Sequence, residues 1–531
     1  MAPTEQATKP YLTLRAGDSV GIATRALHAG EDIDAGGHSF TLSGDIPAGH
    51  KLALADIPAG ADVRKYGQII GVATTGIKRG DHVHSHNLAF ARFERDYAFG
   101  ADLGAQSAPG PSSGNLAGTT AAGAGNGEVT FQGIVRPDGR VATRNFIGVL
   151  TTVNCSATVA RMIAAEFRGG AGGPLAQFPN VDGVVALTHG SGCGMAPSGE
   201  GFDLLRRTLS GYAMHPNFAA LVVLGLGCEV NQVRALTEGF ELPSTTPLIG
   251  MTIQEMGGTR ATVREGVARV TELAAAANEV KRVPVPVSEL VLGLECGGSD
   301  GYSGVTANPA LGMAADLLVR NGGTAVLGET PEIYGAEHLL TRRAVSEEVG
   351  KRLVERVHWW EDYVQRCGAS LDNNPSPGNK EGGLTTILEK SLGAVAKGGS
   401  MPLSAVYEYA EPITAKGFVF MDTPGYDPVS VTGIVAGGAN VVCFTTGRGS
   451  VFGSKPAPCI KLATNSDTYR RMEEDMDIDC GPVLDGSLSL EQAGRQIFDL
   501  IVSVAGGTKT KSEELGFGDE EFTPWQLGAV L

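Results

Sequence analysis

At 531 residues, with 75 glycines and a formal charge of −16, the chain is too long for one ordinary core and too acidic for a surface that grips polyanions. That charge argues against nucleic acid as a partner, and no apolar run reaches the roughly 18 residues of a membrane span. Eight cysteines spread without dense pairing argue against a disulfide framework, and the first residues lack a basic-plus-apolar leader, so the expectation is a cytoplasmic, multidomain protein with reduced thiols.

In chain order, Leu12 to about Asn87 alternates short β-rich runs with turns such as Asp45-Ile-Pro-Ala-Gly49, Asp56-Ile-Pro-Ala-Gly60 and Lys78-Arg-Gly80. This predicts a small all-β module over residues 1–99. Residues 100–130 are dominated by Gly, Ala, Ser, Thr, Pro and Asn, a composition that buries no core and predicts a flexible linker. The texture then becomes α/β. Apolar runs of strand length at Phe146–Thr152, Val181–Leu187 and Leu221–Leu226 predict parallel strands of a central domain over 131–287. A second α/β unit over 288–531 is expected from strands at Leu290–Leu294, Thr324–Leu327, Gly417–Met421 and Val441–Thr445, with helices at Ala310–Val319 and Leu490–Val504.

Three strand runs of the central domain end in a thiol: Val153-Asn-Cys155, His189-Gly-Ser-Gly-Cys193 and Gly225-Leu-Gly-Cys228. The intervals are each about one β-loop-helix unit, so the three strands can be neighbours with their sulfurs at one sheet edge. Cys296 stands in the similar context Glu295-Cys-Gly-Gly-Ser-Asp300. Any one of the four taken alone reads as a small core residue. Their repetition at strand ends suits soft iron, as Fe2+ or an iron–sulfur cluster. Cys367, Cys443, Cys459 and Cys480 lack this setting and read as structural. His189, opening a glycine turn, serves metal binding, proton transfer or packing equally well.

Longer motifs carry a resemblance. Arg136-Pro-Asp-Gly-Arg140, Thr143-Arg-Asn145, Gly225-Leu-Gly-Cys-Glu229-Val-Asn-Gln232, Cys296-Gly-Gly-Ser-Asp300, Ser303-Gly-Val-Thr-Ala-Asn-Pro309, Asn374-Pro-Ser-Pro-Gly-Asn-Lys380 and Thr445-Thr-Gly-Arg-Gly449 resemble the altronate/galactarate dehydratase family in order. The resemblance implies an SAF-type β-clip, a linker, a central dimerisation domain and a C-terminal Rossmann-like catalytic domain. It also implies an iron-dependent hydro-lyase, a homodimer acting on a small anionic sugar acid. The run His82-Val-His-Ser-His86-Asn87 is closer to altronate than to galactarate enzymes, which points to an aldonate.

Such a reaction removes the proton beside a carboxylate and expels a β-hydroxyl, so it needs a base, an anion clamp and a Lewis acid. Lys380, after a rigid Pro-Ser-Pro-Gly-Asn turn, is the candidate base, though a surface lysine reads the same way. Arg448, with its planar fork, is the candidate carboxylate clamp, with Thr446 and Lys461 adding donors or positive potential. Asp300 is a candidate for metal or proton work and Asn308 for substrate hydroxyls; either also serves as a turn-former. His84 and His86, two apart on one strand face, read as substrate contacts, metal ligands or an exposed pair. Three alternatives stand beside this reading: an aldarate (galactarate) dehydratase, a sulfo-lyase expelling sulfite by the same proton abstraction, and a non-catalytic sugar-acid sensor.

Overall fold

The computed structural model describes residues 9–34, 39–93, 95–103, 128–168, 173–240 and 245–528. The greater part of the expected linker, 104–127, lies outside the described residues.

The N-terminal unit is all β. Its two larger sheets are antiparallel and short-stranded, one ordered Tyr11–Leu12, Val20–Ala23, Lys51–Ala53, His82–Val83, the other Asp62–Lys65, Gln68–Ala73, Leu88–Ala89. The repeated Ile-Pro-Ala-Gly turns explain this economy. Ile46 bridges Leu27, Ile57 bridges Ile77, and Gly49 and Gly60 take φ of 80° and 81°, which glycine adopts without strain.

The central unit begins and ends on one antiparallel ladder, where Thr130–Val135 pairs with Arg282–Pro286. That pairing brings the entry and exit of this unit side by side. Between them lies a parallel sheet ordered Gly183–Leu187, Phe146–Thr151, Phe218–Gly225, Leu248–Thr252. The three thiol-ended strands are therefore neighbours, as their spacing predicts. The sequence reading missed the fourth strand, whose run is interrupted by Gly250.

The C-terminal unit holds a seven-stranded parallel sheet ordered Leu403–Tyr407, Gly417–Met421, Thr324–Leu327, Val291–Cys296, Val441–Thr446, Cys459–Ala463, Ile478–Asp479. The helices Ala307–Arg320 and Leu490–Ala505 pack together, and their buried faces join the core beneath the sheet. The strand Cys459–Ala463 was hidden in the sequence by Lys461, a charge inside a fully buried run. Chain order reverses between Val291–Cys296 and Val441–Thr446. In open parallel sheets the crevice beyond the strand ends at such a reversal is where ligands bind.

The β-clip docks on this C-terminal unit. The Lys51 and Lys65 ammoniums lie 2.9 and 2.7 Å from the Glu389 carboxylate, all three buried, and Thr385 donates to the same carboxylate through N and Oγ1. Gly301 passes so close to Gly49 that a Cβ there would lie 2.0 Å from the Gly49 carbonyl oxygen. Among the described residues no helix is long and apolar enough to cross a membrane.

Candidate active site

Two glycine turns meet at the reversal point. Gly297 N donates to Thr445 O, and the amides of Gly447 and Arg448 donate to Gly298 O at 3.0 and 2.8 Å. Asp300 locks them from below. Its carboxylate accepts from Thr464 Oγ1, Asn465 Nδ2, Ser303 Oγ and Tyr302 N at 3.0 to 3.1 Å, and Asn465 also donates to Gly447 O. With its oxygens so engaged, Asp300 organises the loops; burial raises its pKa. A Cβ on Gly447 would sit 2.1 Å from the Asp300 carboxyl carbon, so the close approach requires glycine.

Arg448 emerges from this base half exposed, its Nη2 3.3 Å from Glu381. Beside it stands the short helix Pro377–Glu381, started by a Ser376–Asn379 capping box. Lys380 is on that helix, and each carbonyl from 380 to 383 receives a donor from outside it. His84 Nε2 lies 2.9 Å from Lys380 O, His50 Nε2 3.1 Å from Glu381 O, Gly301 N 2.8 Å from Gly382 O and Lys51 Nζ 2.6 Å from Gly383 O. Three of those donors come from the β-clip, which thus fixes the Lys380 turn. His50, His84, Asp372, Asn373, Pro375, Pro377, Lys380 and Glu381 line an open cavity of about 610 Å³.

Four imidazoles gather at this seam. The His50 ring centroid lies 5.1 Å from His82 and 5.0 Å from His84, and His82 lies 5.4 Å from His84 and 5.5 Å from His86. Burial lowers the pKa of His50 to about 4 and of His82 to about 3, and also lowers that of His84, so all three are neutral at pH 7.

Deeper at the same sheet edge is a charged cluster that the sequence did not announce. Lys397 Nζ lies 2.8 Å from Cys296 Sγ and 2.7 Å from Glu329; Sγ lies 3.3 Å from Glu332, which Lys390 meets at 2.5 Å. Among the described residues, Cys296, Glu329 and Glu332 are the only group placing three such ligand atoms within 4.8 Å of one another. Glu329 Oε1 and Glu295 Oε2 are buried without partners among the described residues. Burial raises the pKa of Cys296, Glu295 and Glu329, whereas Lys390 and Lys397 hold Glu332 low despite its burial. Asp427, beside Gly297, is pushed up to about 7 by burial and by Glu329 and Glu332.

Other expected site residues fall elsewhere. Asn308 is interior, donating to Gly393 O and accepting from Thr445, and Thr446 Oγ1 accepts from Gly449 N. Lys461, expected to add positive potential near the anion, is fully buried with Nζ 3.0 Å from Phe452 O. Cys296 belongs to a different sheet from Cys155, Cys193 and Cys228, all three of which are exposed. The three turns do touch: Asn154 N donates to Ser191 O, and Asn231 N donates to Gly192 O. His189 has both nitrogens occupied, Nε2 by Thr151 O and Nδ1 by Ser191 N, so it stitches those turns together.

Three family profiles match in the same order as the structural units. These are an altronate/galactarate dehydratase SAF domain over 9–91, a D-galactarate dehydratase/altronate hydrolase second domain over 133–278, and a D-galactarate/altronate dehydratase C-terminal domain over 287–530. Altronate dehydratase of Escherichia coli is 35% identical across 98% of this chain and 100% of its own. The L-threo-forming galactarate dehydratase of the same organism is 35% identical across 97% of each chain. The β subunit of (2R)-sulfolactate sulfo-lyase from Chromohalobacter salexigens is 35% identical across 73% of this chain and 95% of its own.

The chain belongs to the altronate/galactarate dehydratase family. It is a sugar-acid dehydratase, a hydro-lyase. In this dehydratase the candidate-site residues that sequence reasoning missed are His50, His82, Glu329, Glu332, Lys390, Lys397 and Asp427. His50 and His82 had a usable signal, since four histidines fall between positions 50 and 86. The acids and lysines had none, being scattered through α/β segments.

Proposed function

We propose that the enzyme takes an aldonate such as D-altronate and eliminates water to give a 2-keto-3-deoxy acid. The observation that carries this reading is the convergence of Arg448 and the Lys380 turn at the sheet's reversal point, braced by Asp300. Arg448 clamps the substrate carboxylate, Lys380 removes the adjacent proton, and Asp427, with a pKa near neutrality, returns a proton to the departing hydroxyl. A monocarboxylate suits the cavity better than an aldarate. Asp372 and Glu381 share its wall with neutral imidazoles, and Lys380 is committed there as the base, so a second carboxylate would meet no other cation among the lining residues.

Iron is the proposed cofactor. Cys296, Glu329 and Glu332 suit a single Fe2+: the ligand atoms are close, Glu329 Oε1 is unpartnered among the described residues, and acids outnumber the two neighbouring lysines. Cys155, Cys193 and Cys228 suit a cluster instead. One ion about 2.3 Å from each sulfur would bring the sulfurs within roughly 4 Å, and no such trio forms there among the described residues. Iron at the substrate site supplies Lewis-acid stabilisation of the charge that develops on the carboxylate. A cytoplasmic homodimer joined through the central domain completes the proposal; Met162, Val230 and Met256 are exposed apolar side chains there.

The test is anaerobic iron loading followed by incubation with altronate, galactarate and a sulfonated hydroxy acid, with keto-acid and sulfite assays and iron and sulfide analysis. Keto acid from altronate in preference to galactarate is expected. Sulfite release without keto-deoxy acid favours the sulfo-lyase reading and overturns this one, and binding without turnover favours the sensor. Cys155→Ser, Cys193→Ser and Cys228→Ser should each lose sulfide-containing iron; full retention in all three removes the cluster.

A further inference from the structure

We infer that Thr423 and Ser430 are positioning residues for the metal centre, two links of a hydrogen-bond relay that holds Glu329 in register with the strand end carrying Cys296. The inference rests on the reading of Cys296, Glu329 and Glu332 as ligands.

The relay crosses three neighbouring strand ends. Cys296 closes Val291–Cys296, while Glu329 and Thr423 each lie two residues beyond the adjacent strands Thr324–Leu327 and Gly417–Met421. Glu329 N donates to Thr423 Oγ1 at 2.7 Å, Thr423 Oγ1 lies 2.7 Å from Ser430 Oγ, and Ser430 Oγ donates to Glu295 Oε1 at 2.7 Å. A hydroxyl has one hydrogen to give. Ser430 directs its own to Glu295, so Thr423 donates to Ser430 and accepts from Glu329. The relay therefore runs one way, from the Glu329 amide to the Glu295 carboxylate. Glu295 immediately precedes Cys296, so the two ligand-bearing segments are tied together by side chains that are themselves fully buried.

Backbone geometry supplies an independent argument. Glu329 sits at φ 63° and ψ 60°, a left-handed conformation that a non-glycine residue keeps only where its surroundings hold it. Thr423 holds it twice, because its carbonyl also accepts from Thr330 N at 2.9 Å. The turn that Glu329 opens, Thr330–Glu332, ends on the other carboxylate ligand. Gly328 leaves room for the hydroxyl pair: a Cβ there would lie 2.9 Å from Thr423 Oγ1 and 3.2 Å from Ser430 Oγ. Ser430 N also donates to Tyr426 O, so the relay reaches the first turn of the helix Asp427–Ala436.

Cobalt binding to the full-length protein tests this, in a Cys155→Ser, Cys193→Ser, Cys228→Ser parent whose central-domain thiols contribute nothing. The parent is stripped with chelator and titrated with Co2+ alone, and the near-ultraviolet sulfur-to-cobalt band reports occupation at Cys296. Thr423→Val and Ser430→Ala should each weaken binding by about tenfold or more, the usual effect of cutting a hydrogen bond behind a metal ligand. Thr423→Ser restores the hydroxyl and should bind as the parent does. Circular dichroism checks folding; if Thr423→Val does not fold, Ser430→Ala decides alone. Undiminished affinity in either folded variant, or Thr423→Ser as weak as Thr423→Val, overturns the relay while the metal site stands. A band absent from the parent, or surviving Cys296→Ser, instead rejects Cys296 as a ligand and the relay's purpose with it.

Discussion

His84 Nε2 lies 2.9 Å from the backbone carbonyl oxygen of Lys380, a contact between residues 296 positions apart. The β-clip thereby holds the backbone of the lysine we assign as base. Lys380→Met should lower kcat by roughly 10²-fold or more, the usual contribution of a positioned base. His84→Ala keeps the amine but loosens its turn, so a smaller fall of roughly tenfold is expected. Steady-state kinetics with circular dichroism as a folding control decide this; wild-type kcat in His84→Ala would remove the bracing role.

Arg448 is the residue we assign as the clamp on the substrate carboxylate. Arg448→Lys keeps the charge and loses the planar fork. A rise in KM of about 10- to 100-fold, equivalent to roughly 1.5–3 kcal/mol of a charge-assisted contact, is expected, with a smaller effect on kcat. An unchanged KM would place the carboxylate elsewhere.

Gly447 touches Asp300 where no side chain fits. Gly447→Ala should push Asp300 off its Thr464 and Asn465 partners and shift the Arg448 loop, reducing kcat/KM by about tenfold or more while the global fold persists. Equal activity and equal thermal stability would show that the loop yields without cost.

Two interior histidines set an acid limit. His215 donates through Nε2 to Ala439 O and accepts from Asn217 N, and burial lowers its pKa and that of His189 to about 4 from an ordinary 6.5. As the pH falls below 6.5 the unfolded chain takes up protons that the folded chain refuses. Stability is therefore full above about 6.5 and declines as the pH drops towards 4, by on the order of 3 kcal/mol for each imidazole. Urea midpoints measured from pH 7 to pH 4.5 should fall in wild type and fall less in His215→Gln. Parallel slopes would contradict the assignment.

Much of the architecture was written locally. The Pro-Ala-Gly turns, the thiol-ended apolar runs and the glycine turns after Cys296 and Thr446 follow from backbone preference and strand periodicity, which act over a few residues. Adjacency of the three thiol strands followed too, because parallel strands joined by short crossovers tend to be neighbours. Strands that broke the apolar pattern were lost, as with Lys461 in Cys459–Ala463 and Gly250 in Leu248–Thr252.

The sequence by itself determined the kinds of chemistry available: an arginine and a lysine in rigid glycine-bounded turns, thiols at strand ends, and histidines in the β-clip. Only the tertiary structure decided which of them meet. Cys296 finds Glu332 and Lys397 across 36 and 101 positions, and His84 finds Lys380 across 296. It also withdrew Asp300, Asn308 and Lys461 into supporting or interior places. The physical reason is that a side chain's role here depends on what desolvates it and which charge faces it, and both are supplied by segments remote in the chain.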